Sequence, residues 1–364
     1  MKRSFTHFTR LNALQKKVSV PIYYGKDIFS QIAAIANTAS YSRIAVITDS
    51  NIYRQWGLAF KKIFGKQDVL IVVPAGEKNK TLVSVQKIWA ALLLNRFDRK
   101  SLVINVGGGV VCDMGAFAAS TYMRGISFVQ VPTTLLAMTD AAIGGKTGIN
   151  FTELKNAIGT FAQPEAVLCD SNFLTTLPER EFKSGFAEVI KHAVVADSRF
   201  FKYLSGRDFK TLNDKEIDTI LGKSCGIKCD VVSSDVTEKG KRKILNFGHT
   251  IGHAIEMASH EIGKPLLHGE AIAIGMIAEA KLSVLAGLLN SKDLKTIEEV
   301  INKAKLPCTA NKKFEKSIYK KIVLDKKNEG GKINWVLLKG IGNAVIDIQQ
   351  PPRSIKLAID YILK

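Results

Sequence analysis

The stretch SLVINVGGGVVCDMGAF, residues 101–117, carries the pattern that decides the fold. A short apolar run rich in β-branched residues leads into three glycines, and a second apolar stretch of helical character follows them. A buried strand that ends in a glycine turn and continues into a helix is the repeating unit of parallel sheets. The stretch therefore predicts an α/β domain.

The same alternation extends along the first half of the chain. Further buried strands are predicted for residues 43–49, 69–75 and 126–134, and an amphipathic helix is predicted for 80–97. Together they predict a parallel sheet covered by helices on both faces, whose ligands bind at the carboxyl ends of its strands. In this chain those ends are Asp49, Ala75 to Glu77, Gly107 to Gly109 and Pro132 to Thr134.

After residues 175–180 the pattern changes. Helical periodicity dominates as far as Leu289, and the clearest strand-like run beyond it is 333–346. Proline disfavours helix in the residue before it and suits the first turn of a helix, so Leu177-Pro178 marks the predicted boundary. We predict two domains, 1–177 and 178–364.

Composition narrows the class of protein. The chain has 364 residues, 46% of them apolar, and a net charge of +19, which invites a polyanionic partner such as nucleic acid. Most of the excess charge lies in residues 1–26 and 291–364, where a solvated basic surface is the simpler interpretation. Five cysteines at irregular spacing favour a reduced, cytoplasmic protein, and no apolar run reaches the length of a membrane span.

Two glycine-bearing segments are candidate ligand sites. Glycines 107–109 would let a diphosphate approach a helix N-terminus, although a tight turn alone explains them equally well. Asp113 is either a cofactor contact or a charge near a helix start. Lys146 follows a Gly-Gly pair among small residues, where packing gives little reason for a lysine, so we expect it to contact a ligand.

A histidine cluster is the sharpest candidate for chemistry. His249 and His253 are four residues apart and share one helix face, as two metal ligands often do, and His268 follows closely. Glu188 stands among apolar residues and needs either a metal or the nearby Lys191 to neutralise it. Two further residues, Cys225 and Cys229, are interpreted as small buried side chains rather than ligands.

Taken in order, these segments resemble the 3-dehydroquinate synthase family of sugar phosphate cyclases over nearly the whole chain. The motifs that carry the resemblance are PAGEKNK (74–80), GGGVVCD (107–113), TYMRG (121–125), VPTTLLAMTDAAIGGKTGIN (131–150), LKNAIGTFAQP (154–164), FLTTLP (173–178), GFAEVIKHA (185–193), RKILNFGHTIGHAIE (242–256), LLHGEA (266–271) and LDKKNEGG (324–331).

The resemblance implies an N-terminal dinucleotide-binding parallel-sheet domain of α/β class followed by a mainly α-helical metal-binding domain. It implies a phosphate-eliminating lyase that converts 3-deoxy-D-arabino-heptulosonate 7-phosphate to 3-dehydroquinate in the shikimate pathway. The steps are NAD-mediated oxidation, β-elimination of phosphate, re-reduction, ring opening and intramolecular aldol closure. The cofactors implied are NAD and Zn²⁺ or Co²⁺, in a cytoplasmic homodimer that binds neither nucleic acid nor membrane.

The resemblance also implies site residues. Its zinc ligands match Glu188, His249 and His268, so that His253 becomes a substrate contact. Catalytic and substrate positions match Asp140, Lys146, Asn156, Lys191, Lys228, Arg242, Asn246, His253 and either Lys326 or Lys327, and Arg124 matches a residue that reaches a neighbouring subunit's site. Positions that bind NAD match Asp49, Asn51, Ala75, Gly76, Glu77, Lys78, Asn79, Lys80, Gly109, Val110, Val111, Cys112, Asp113, Thr133, Thr134, Lys146, Lys155, Phe173, Leu174, Thr175 and Thr176.

Three other functions compete with this interpretation. A related cyclase would act on glucose 6-phosphate or sedoheptulose 7-phosphate, which lack the carboxylate that Lys228 and Arg242 together suit. A metal-dependent alcohol dehydrogenase of similar build would release NADH and would not need the extra cations. A basic nucleic-acid-binding protein is suggested by net charge alone and would bind duplex with a steep dependence on salt.

Overall fold

A computed structural model describes residues 11–15, 18–32, 41–65, 67–152, 154–323 and 333–364. The chain forms two compact units. The first extends to Pro178 and includes Asp214–Cys229, and the second comprises Glu179–Asn213 and Asp230–Lys364. Within the described ranges, no helix combines the length and apolar character needed to cross a membrane.

The first unit is built on a sheet that, within the described residues, has seven strands in the order β1-β2-β9-β6-β5-β3-β4. Every neighbouring pair is parallel except β1 with β2, which confirms the predicted parallel sheet. The strands of this unit are β1 Leu11–Gln15, β2 Val18–Gly25, β3 Ile44–Asp49, β4 Val69–Val73, β5 Leu102–Gly107, β6 Ser127–Pro132, β7 Lys146–Phe151, β8 Leu154–Phe161 and β9 Ala166–Asp170.

Among the residues that the structure describes, three α-helices connect these strands: α1 Ser50–Ile63, α2 Leu82–Leu94 and α3 Gly109–Thr121. The predicted helix over 80–97 is α2, which begins after Thr81 because the hydroxyl of this residue accepts a hydrogen bond from the Ser84 N–H. Val85, Ile88 and Leu92 form a buried stripe of helical spacing that packs with α3 into the core. Full burial of each such side chain contributes about 1.5–3 kcal/mol.

The hairpin formed by β7 and β8 lies apart from the large sheet and was not expected from the sequence. Its strands pair antiparallel, and hydroxyl contacts join it to α3, where Ser120 Oγ lies 2.7 Å from Thr160 Oγ1. Apolar side chains of the hairpin are exposed on β8 and at the end of β7. The sequence therefore shows neither the continuous apolar run of a buried strand nor the regular alternation of a half-buried one. The exposed apolar side chains are Phe151, Leu154, Ile158 and Phe161.

The second unit is mainly helical, as predicted. The helices that follow α3 are α4 Glu179–Ala196, α5 Ser198–Ser205, α6 Asp214–Ser234, α7 His249–Glu261, α8 His268–Leu285, α9 Ser291–Lys303, α10 Glu315–Val323 and α11 Pro352–Ile362. Most of α6, as far as Cys229, belongs to the first unit. The strand-like run 333–346 forms a hairpin, with strands β10 Trp335–Leu338 and β11 Ala344–Ile348. Helix α8 is buried along most of its length, which suits a central helix of the unit.

Candidate functional site

The carboxyl end of β5 carries the predicted glycine turn. Gly107 ends the strand, Gly108 occupies the N-cap of α3, and no side chain caps that helix. Helix N-termini expose unpaired N–H groups and the positive end of the helix dipole, which together attract phosphate groups. The start of α3 is therefore suited to a diphosphate, as the sequence predicted.

A buried lysine organises the same region. Lys80 Nζ lies 2.5 Å from Asp113 Oδ2 and 2.5 Å from Asn156 Oδ1, although these residues are far apart in sequence. Lys80 is only 3% exposed, and a lysine is buried this deeply only when it is paired. Burial raises the pKa of Asp113, and the Lys80 ammonium opposes that shift. Three predicted site residues thus form one polar cluster.

The β7–β8 hairpin is tied to the turn that precedes Lys80. Asn150 Nδ2 donates to Glu77 Oε1 at 2.8 Å, and the Asn150 N–H donates to the Lys80 carbonyl at 2.8 Å. Asn150 Oδ1 also accepts from the Asn156 N–H at 2.9 Å, and Asn156 has a left-handed φ of 50°. The hairpin consequently places Asn156 beside Lys80. A residue of the 154–164 motif is thereby brought to the 74–80 motif, which is predicted to bind the nucleotide.

Several other predicted nucleotide contacts already have structural partners. Asp49 Oδ1 accepts from the backbone of Asn51 and Ile52 and so caps α1. Thr176 Oγ1 accepts from Trp56 Nε1 at 2.9 Å. Phe173 is buried, with its ring 4.7 Å from that of Trp56, so its side chain contributes to packing. Ala75, Gly76, Lys78 and Asn79 lie in or beside a short turn after β4, whereas Thr133 and Thr134 follow β6.

Asp140 lies in a π-helical turn, Ala137–Ala141, rather than in an ordinary helix. It forms a salt bridge with Lys228 of α6, and Lys228 is 6% exposed. The turn is held from behind by two thiols, because Cys225 Sγ and Cys169 Sγ both donate to the Met138 carbonyl, at 3.4 and 3.7 Å. Cys225 and Cys229 are buried and form no disulfide, in agreement with their interpretation as small buried side chains.

In the second unit, a carboxylate and two imidazoles converge. Glu188 Oε1 of α4 lies 3.6 Å from His249 Nε2 and 3.7 Å from His268 Nε2. Ligand atoms about 2.1 Å from a tetrahedral zinc ion lie about 3.4 Å apart, so these separations fit such an ion closely. One carboxylate oxygen and two imidazole nitrogens also form a donor set that zinc and cobalt accept.

Each imidazole is held through its other nitrogen. His249 Nδ1 lies 3.2 Å from the Phe247 carbonyl, and His268 Nδ1 lies 3.2 Å from Glu256 Oε2. Both partners can only accept, so each Nδ1 carries a proton and each Nε2 faces Glu188. Burial lowers the pKa of His268, but the Glu188 and Glu256 carboxylates outweigh it and raise the pKa to about 9.

His253 lies beside this trio. Its ring centroid is 5.1 Å from that of His249 and 5.7 Å from that of His268. The three histidines could therefore also hold a metal, which is the pairing that the spacing along α7 suggested. Glu188 makes a different set more favourable, because its Oε1 lies 3.6 and 3.7 Å from the two Nε2 atoms and adds an anionic ligand that three histidines lack.

Lys191 and Arg242 are buried cations of the second unit. They lie close in sequence to Glu188 and His249, respectively. Lys191 forms a salt bridge with Glu188 Oε2 from the next turn of α4, so the anticipated intrahelical pair is present together with the histidine contacts to Oε1. Arg242 is 2% exposed and donates from Nη1 to the Val236 carbonyl at 2.7 Å. The burial of Lys191 and Arg242 suggests that this region binds an anionic ligand.

The loop that carries Arg242 is organised by acidic residues. Asp235 Oδ2 accepts from the N–H groups of Gly240 and Arg242, at 2.7 and 3.0 Å. Burial would raise the pKa of Asp235, but these backbone donors and the Arg242 charge hold it below its usual value. Asn246 Nδ2 donates to Glu238 Oε1 at 2.7 Å, and Glu238 has a left-handed φ of 60°.

The remaining predicted residues are more exposed. Lys146 begins β7 after two glycines of positive φ, Lys155 lies in β8, and Arg124 ends a short turn with φ 67°. All three residues are exposed. Exposure fits a contact with a ligand or a second subunit, and it equally fits a solvated cation. Lys326 and Lys327 lie outside the described residues.

Four carboxylates that position these groups were missed in the sequence. They are Asp235, Glu238, Glu256 and Glu279. Glu256 and Glu279 are buried acids inside apolar helices, the same pattern that drew attention to Glu188, so that criterion could have found them. Asp235 and Glu238 sit in a polar loop, where nothing in the sequence separates them from solvated acids.

Comparison with known proteins agrees with this geometry. Family models described as 3-dehydroquinate synthase N-terminal and C-terminal match residues 70–184 and 185–328. The 3-dehydroquinate synthase of Acidithiobacillus ferrooxidans is 42% identical over 351 residues, which cover 95% of this chain and 96% of the relative. A similar protein from Campylobacter concisus is 40% identical over 340 residues, covering 92% of this chain and 94% of the relative.

The chain is also similar to solved structures of two other synthases. The 2-epi-5-epi-valiolone synthase of Streptomyces hygroscopicus subsp. jinggangensis 5008, with NAD⁺ and Zn²⁺ bound, is 30% identical with a TM-score of 0.84, covering 97% of this chain and 99% of its own. A 2-deoxy-scyllo-inosose synthase complexed with carbaglucose-6-phosphate, NAD⁺ and Co²⁺ is 26% identical with a TM-score of 0.87, covering 98% of this chain and all of its own. The chain belongs to the 3-dehydroquinate synthase family.

Proposed function

We propose that this enzyme converts 3-deoxy-D-arabino-heptulosonate 7-phosphate to 3-dehydroquinate and inorganic phosphate, and that it is a carbon–oxygen lyase. The observation that carries the proposal is the cluster of Glu188, His249 and His268 with the buried cation Lys191 attached to the same carboxylate. Substrate and products balance, because loss of phosphoric acid from the substrate leaves the composition of the carbocycle. No net oxidation or reduction is required.

The charge of the substrate explains the buried cations. Its carboxylate and phosphate carry roughly three negative charges at neutral pH. We assign Lys191, Lys228 and Arg242 to substrate binding, and the exposed Lys146 to the same role. Arg242 suits the carboxylate, because a guanidinium donates two parallel hydrogen bonds to a planar acceptor. Its burial and its bond to the Val236 carbonyl hold the group in one orientation.

Glu188, His249 and His268 are proposed to hold Zn²⁺ or Co²⁺, since their donor atoms and separations fit either ion. When bound, such an ion would supply the positive charge that lowers the pKa of a substrate hydroxyl. The protein's own contribution is orientation. The Phe247 carbonyl and Glu256 fix the direction of the two imidazoles, and Lys191 keeps the second oxygen of Glu188 occupied.

NAD is proposed to bind at the carboxyl ends of β3 to β6. The start of α3 would receive its diphosphate, and the cluster of Lys80, Asp113 and Asn156 would orient the nucleotide. Bound NAD supplies a reversible hydride acceptor that is restored in each turnover. Lys80 contributes by fixing Asp113 and Asn156 relative to each other, so the polar groups are in position before the nucleotide arrives.

His253 and Asn246 are proposed to handle protons and orientation at the substrate. The ring of His253 is half-buried and 5.1 Å from His249, and a histidine exchanges protons near neutral pH more readily than other side chains. Glu238 accepts a hydrogen bond from the amide nitrogen of Asn246 and so orients this side chain, which is proposed to contact a substrate hydroxyl. Phosphate leaves with the C–O bond electrons and is proposed to take up the proton lost from the neighbouring carbon, so the elimination needs cations from the protein rather than an additional base.

Further expectations are part of the proposal. The functional domains are taken as 1–177 for NAD and 178–364 for metal and substrate. The exposed apolar side chains of the β7–β8 hairpin and the exposed Arg124 support a homodimer in which Arg124 contributes to a neighbouring site. We further propose a cytoplasmic enzyme whose partners do not include nucleic acid.

A substrate panel tests the assignment. Purified protein is incubated with NAD and Zn²⁺ and, in parallel, with the heptulosonate phosphate, glucose 6-phosphate or sedoheptulose 7-phosphate, while phosphate release is followed. We expect kcat/KM for the heptulosonate phosphate to exceed kcat/KM for either other sugar at least 1,000-fold. The other two sugars lack the carboxylate that Lys228 and Arg242 are proposed to bind. Faster release from either of the other sugars would reassign the enzyme to a related cyclase reaction.

A further inference from the structure

Glu279 is a fully buried carboxylate on α8 that the proposed reaction does not use. Its Oε2 accepts from the Gly248 N–H at 2.6 Å, and its Oε1 accepts from the Ile251 N–H at 3.2 Å. We propose that Glu279 is a positioning residue, which caps α7 from the neighbouring helix and thereby fixes the direction of His249. The inference rests on the proposed metal centre, because His249 is one of its ligands.

The start of α7 needs an external cap. The first N–H groups of a helix lack partners within the helix, and a Ser, Thr, Asp or Asn at the N-cap usually supplies one. Helix α7 has Gly248 at that position, with φ 80° and ψ −10°. A Cβ on Gly248 would lie 2.6 Å from Met276 Cγ and 3.1 Å from the Ile272 carbonyl of α8, so no residue with a side chain fits there.

One carboxylate from α8 does the work of two capping groups. In a capping box, the N-cap side chain accepts from the third residue of the helix, and the side chain of that third residue accepts from the N-cap N–H. Here Glu279 accepts both bonds, since Ile251 is the third residue of α7 and Gly248 is its N-cap. A negative charge at a helix N-terminus is also favoured by the helix dipole.

The cap acts on His249 because this residue is the first of α7. The preceding turn supplies the Phe247 carbonyl that holds His249 Nδ1, and the Gly248 N–H of the same turn is bound by Glu279. The other side of the turn touches the α8 backbone, because a Cβ on Gly275 would lie 2.0 Å from the Gly248 carbonyl. Glu279 and this close approach together leave His249 Nε2 directed at Glu188 Oε1.

Amide hydrogen exchange in the unmodified full-length protein, freed of metal with a chelator, tests the cap. First-turn amides of an ordinary helix exchange rapidly because they lack internal partners. We expect the Gly248 and Ile251 amides to exchange at least 100-fold more slowly than unprotected amides, at rates like those of the middle of α7. Exchange at unprotected rates would overturn the proposal without any variant having to fold.

Zinc affinity tests the positioning role. Glu279→Gln keeps the shape of the side chain but places an amide donor against a backbone donor, and we expect the zinc Kd to rise about 10- to 100-fold. The visible spectrum of the cobalt-loaded variant should shift, and kcat should recover at saturating metal. Glu279→Asp keeps the charge with a shorter reach and should give an intermediate Kd. A Kd within twofold of the unmodified value in Glu279→Gln would overturn the role.

Asp197→Ala is the matched control. Asp197 Oδ1 caps α5 in the same unit by accepting from the N–H groups of Arg199 and Phe200, both at 2.9 Å. Its loss should lower the melting temperature while leaving the zinc Kd within twofold, whereas an equal loss of affinity in this control would assign the effect to general destabilisation. If the unmodified chain binds no zinc, the metal centre and the positioning role both fail, and slow amide exchange would still establish the cap.

Discussion

Glu256 offers the sharpest quantitative prediction, because a single contact links it to the proposed metal centre. Its Oε2 lies 3.2 Å from His268 Nδ1, and the side chain is 6% exposed. Glu256→Gln preserves size and one acceptor oxygen but removes the negative charge. A hydrogen bond to a charged group contributes about 1.5–3 kcal/mol, whereas a neutral one contributes about 0.5–1.5 kcal/mol. The expected loss is about 1–2 kcal/mol.

That loss should appear as a weaker metal site rather than as a misfolded protein. A change of about 1–2 kcal/mol corresponds to a rise of about 5- to 30-fold in the zinc Kd, measured by competition with a chromogenic chelator. In the metal-free protein, the pKa of His268 should fall from about 9, because one of the two carboxylates that raise it is gone. A ¹⁵N titration of the imidazole measures that shift.

Glu261→Gln is the control for this prediction. Glu261 ends the same helix, α7, but its side chain is 54% exposed and pairs with Lys321 at 2.7 Å. The same substitution there should leave both the zinc Kd and the pKa of His268 unchanged. Equal zinc affinity in Glu256→Gln and the unmodified protein would refute the reasoning that Glu256 orients His268.

Three more predictions address the other groups. Lys80→Met should raise the NAD Kd at least tenfold, measured by fluorescence titration, because Asp113 loses a buried partner; an unchanged Kd would contradict this. Arg242→Lys should lower kcat/KM at least about 100-fold, since a single ammonium cannot replace a bidentate fork, and near-normal kinetics would remove the carboxylate assignment. Phe151→Asp should shift sedimentation toward a monomer, while Leu94→Asp, at an exposed leucine of α2, should not.

Four strands of the large sheet, β3 to β6, were predictable because they follow one rule. Residues 43–49, 69–75, 101–109 and 126–134 are short, apolar and rich in β-branched residues. Strands β3, β5 and β6 are buried on both faces or nearly so, whereas β4 exposes Leu70 and Val72 on one face. The β7–β8 hairpin was not predictable in this way. Its second strand is exposed almost throughout, so no periodicity of burial distinguishes it from a loop.

The metal centre shows where sequence spacing stops being informative. Spacing paired His249 with His253, and the structure does bring their rings within 5.1 Å. Spacing could not join Glu188 to His249 and His268, because the three residues lie on different helices, α4, α7 and α8. The resemblance to a known family supplied that set. The interhelical contacts of Glu256 and Glu279 depend on packing and became visible only in three dimensions.

The structure separates the net charge of +19 into exposed and buried cations. Among the described residues, only a small part of the lysines and arginines is buried, namely Lys80, Lys191, Lys228 and Arg242. Burial requires such side chains to form specific polar contacts. Three of them form salt bridges with Asp113, Glu188 and Asp140. The buried charges, rather than the overall excess, therefore point to a small anionic substrate.

The stoichiometry of turnover tests the proposed activity most directly. Purified protein with Zn²⁺ and catalytic NAD is given the heptulosonate phosphate, while phosphate, 3-dehydroquinate and absorbance at 340 nm are followed together. We predict one phosphate and one 3-dehydroquinate for each substrate consumed, many turnovers for each NAD, and no accumulation of NADH. Accumulation of NADH in proportion to substrate consumed, without phosphate release, would contradict the proposal and indicate a dehydrogenase.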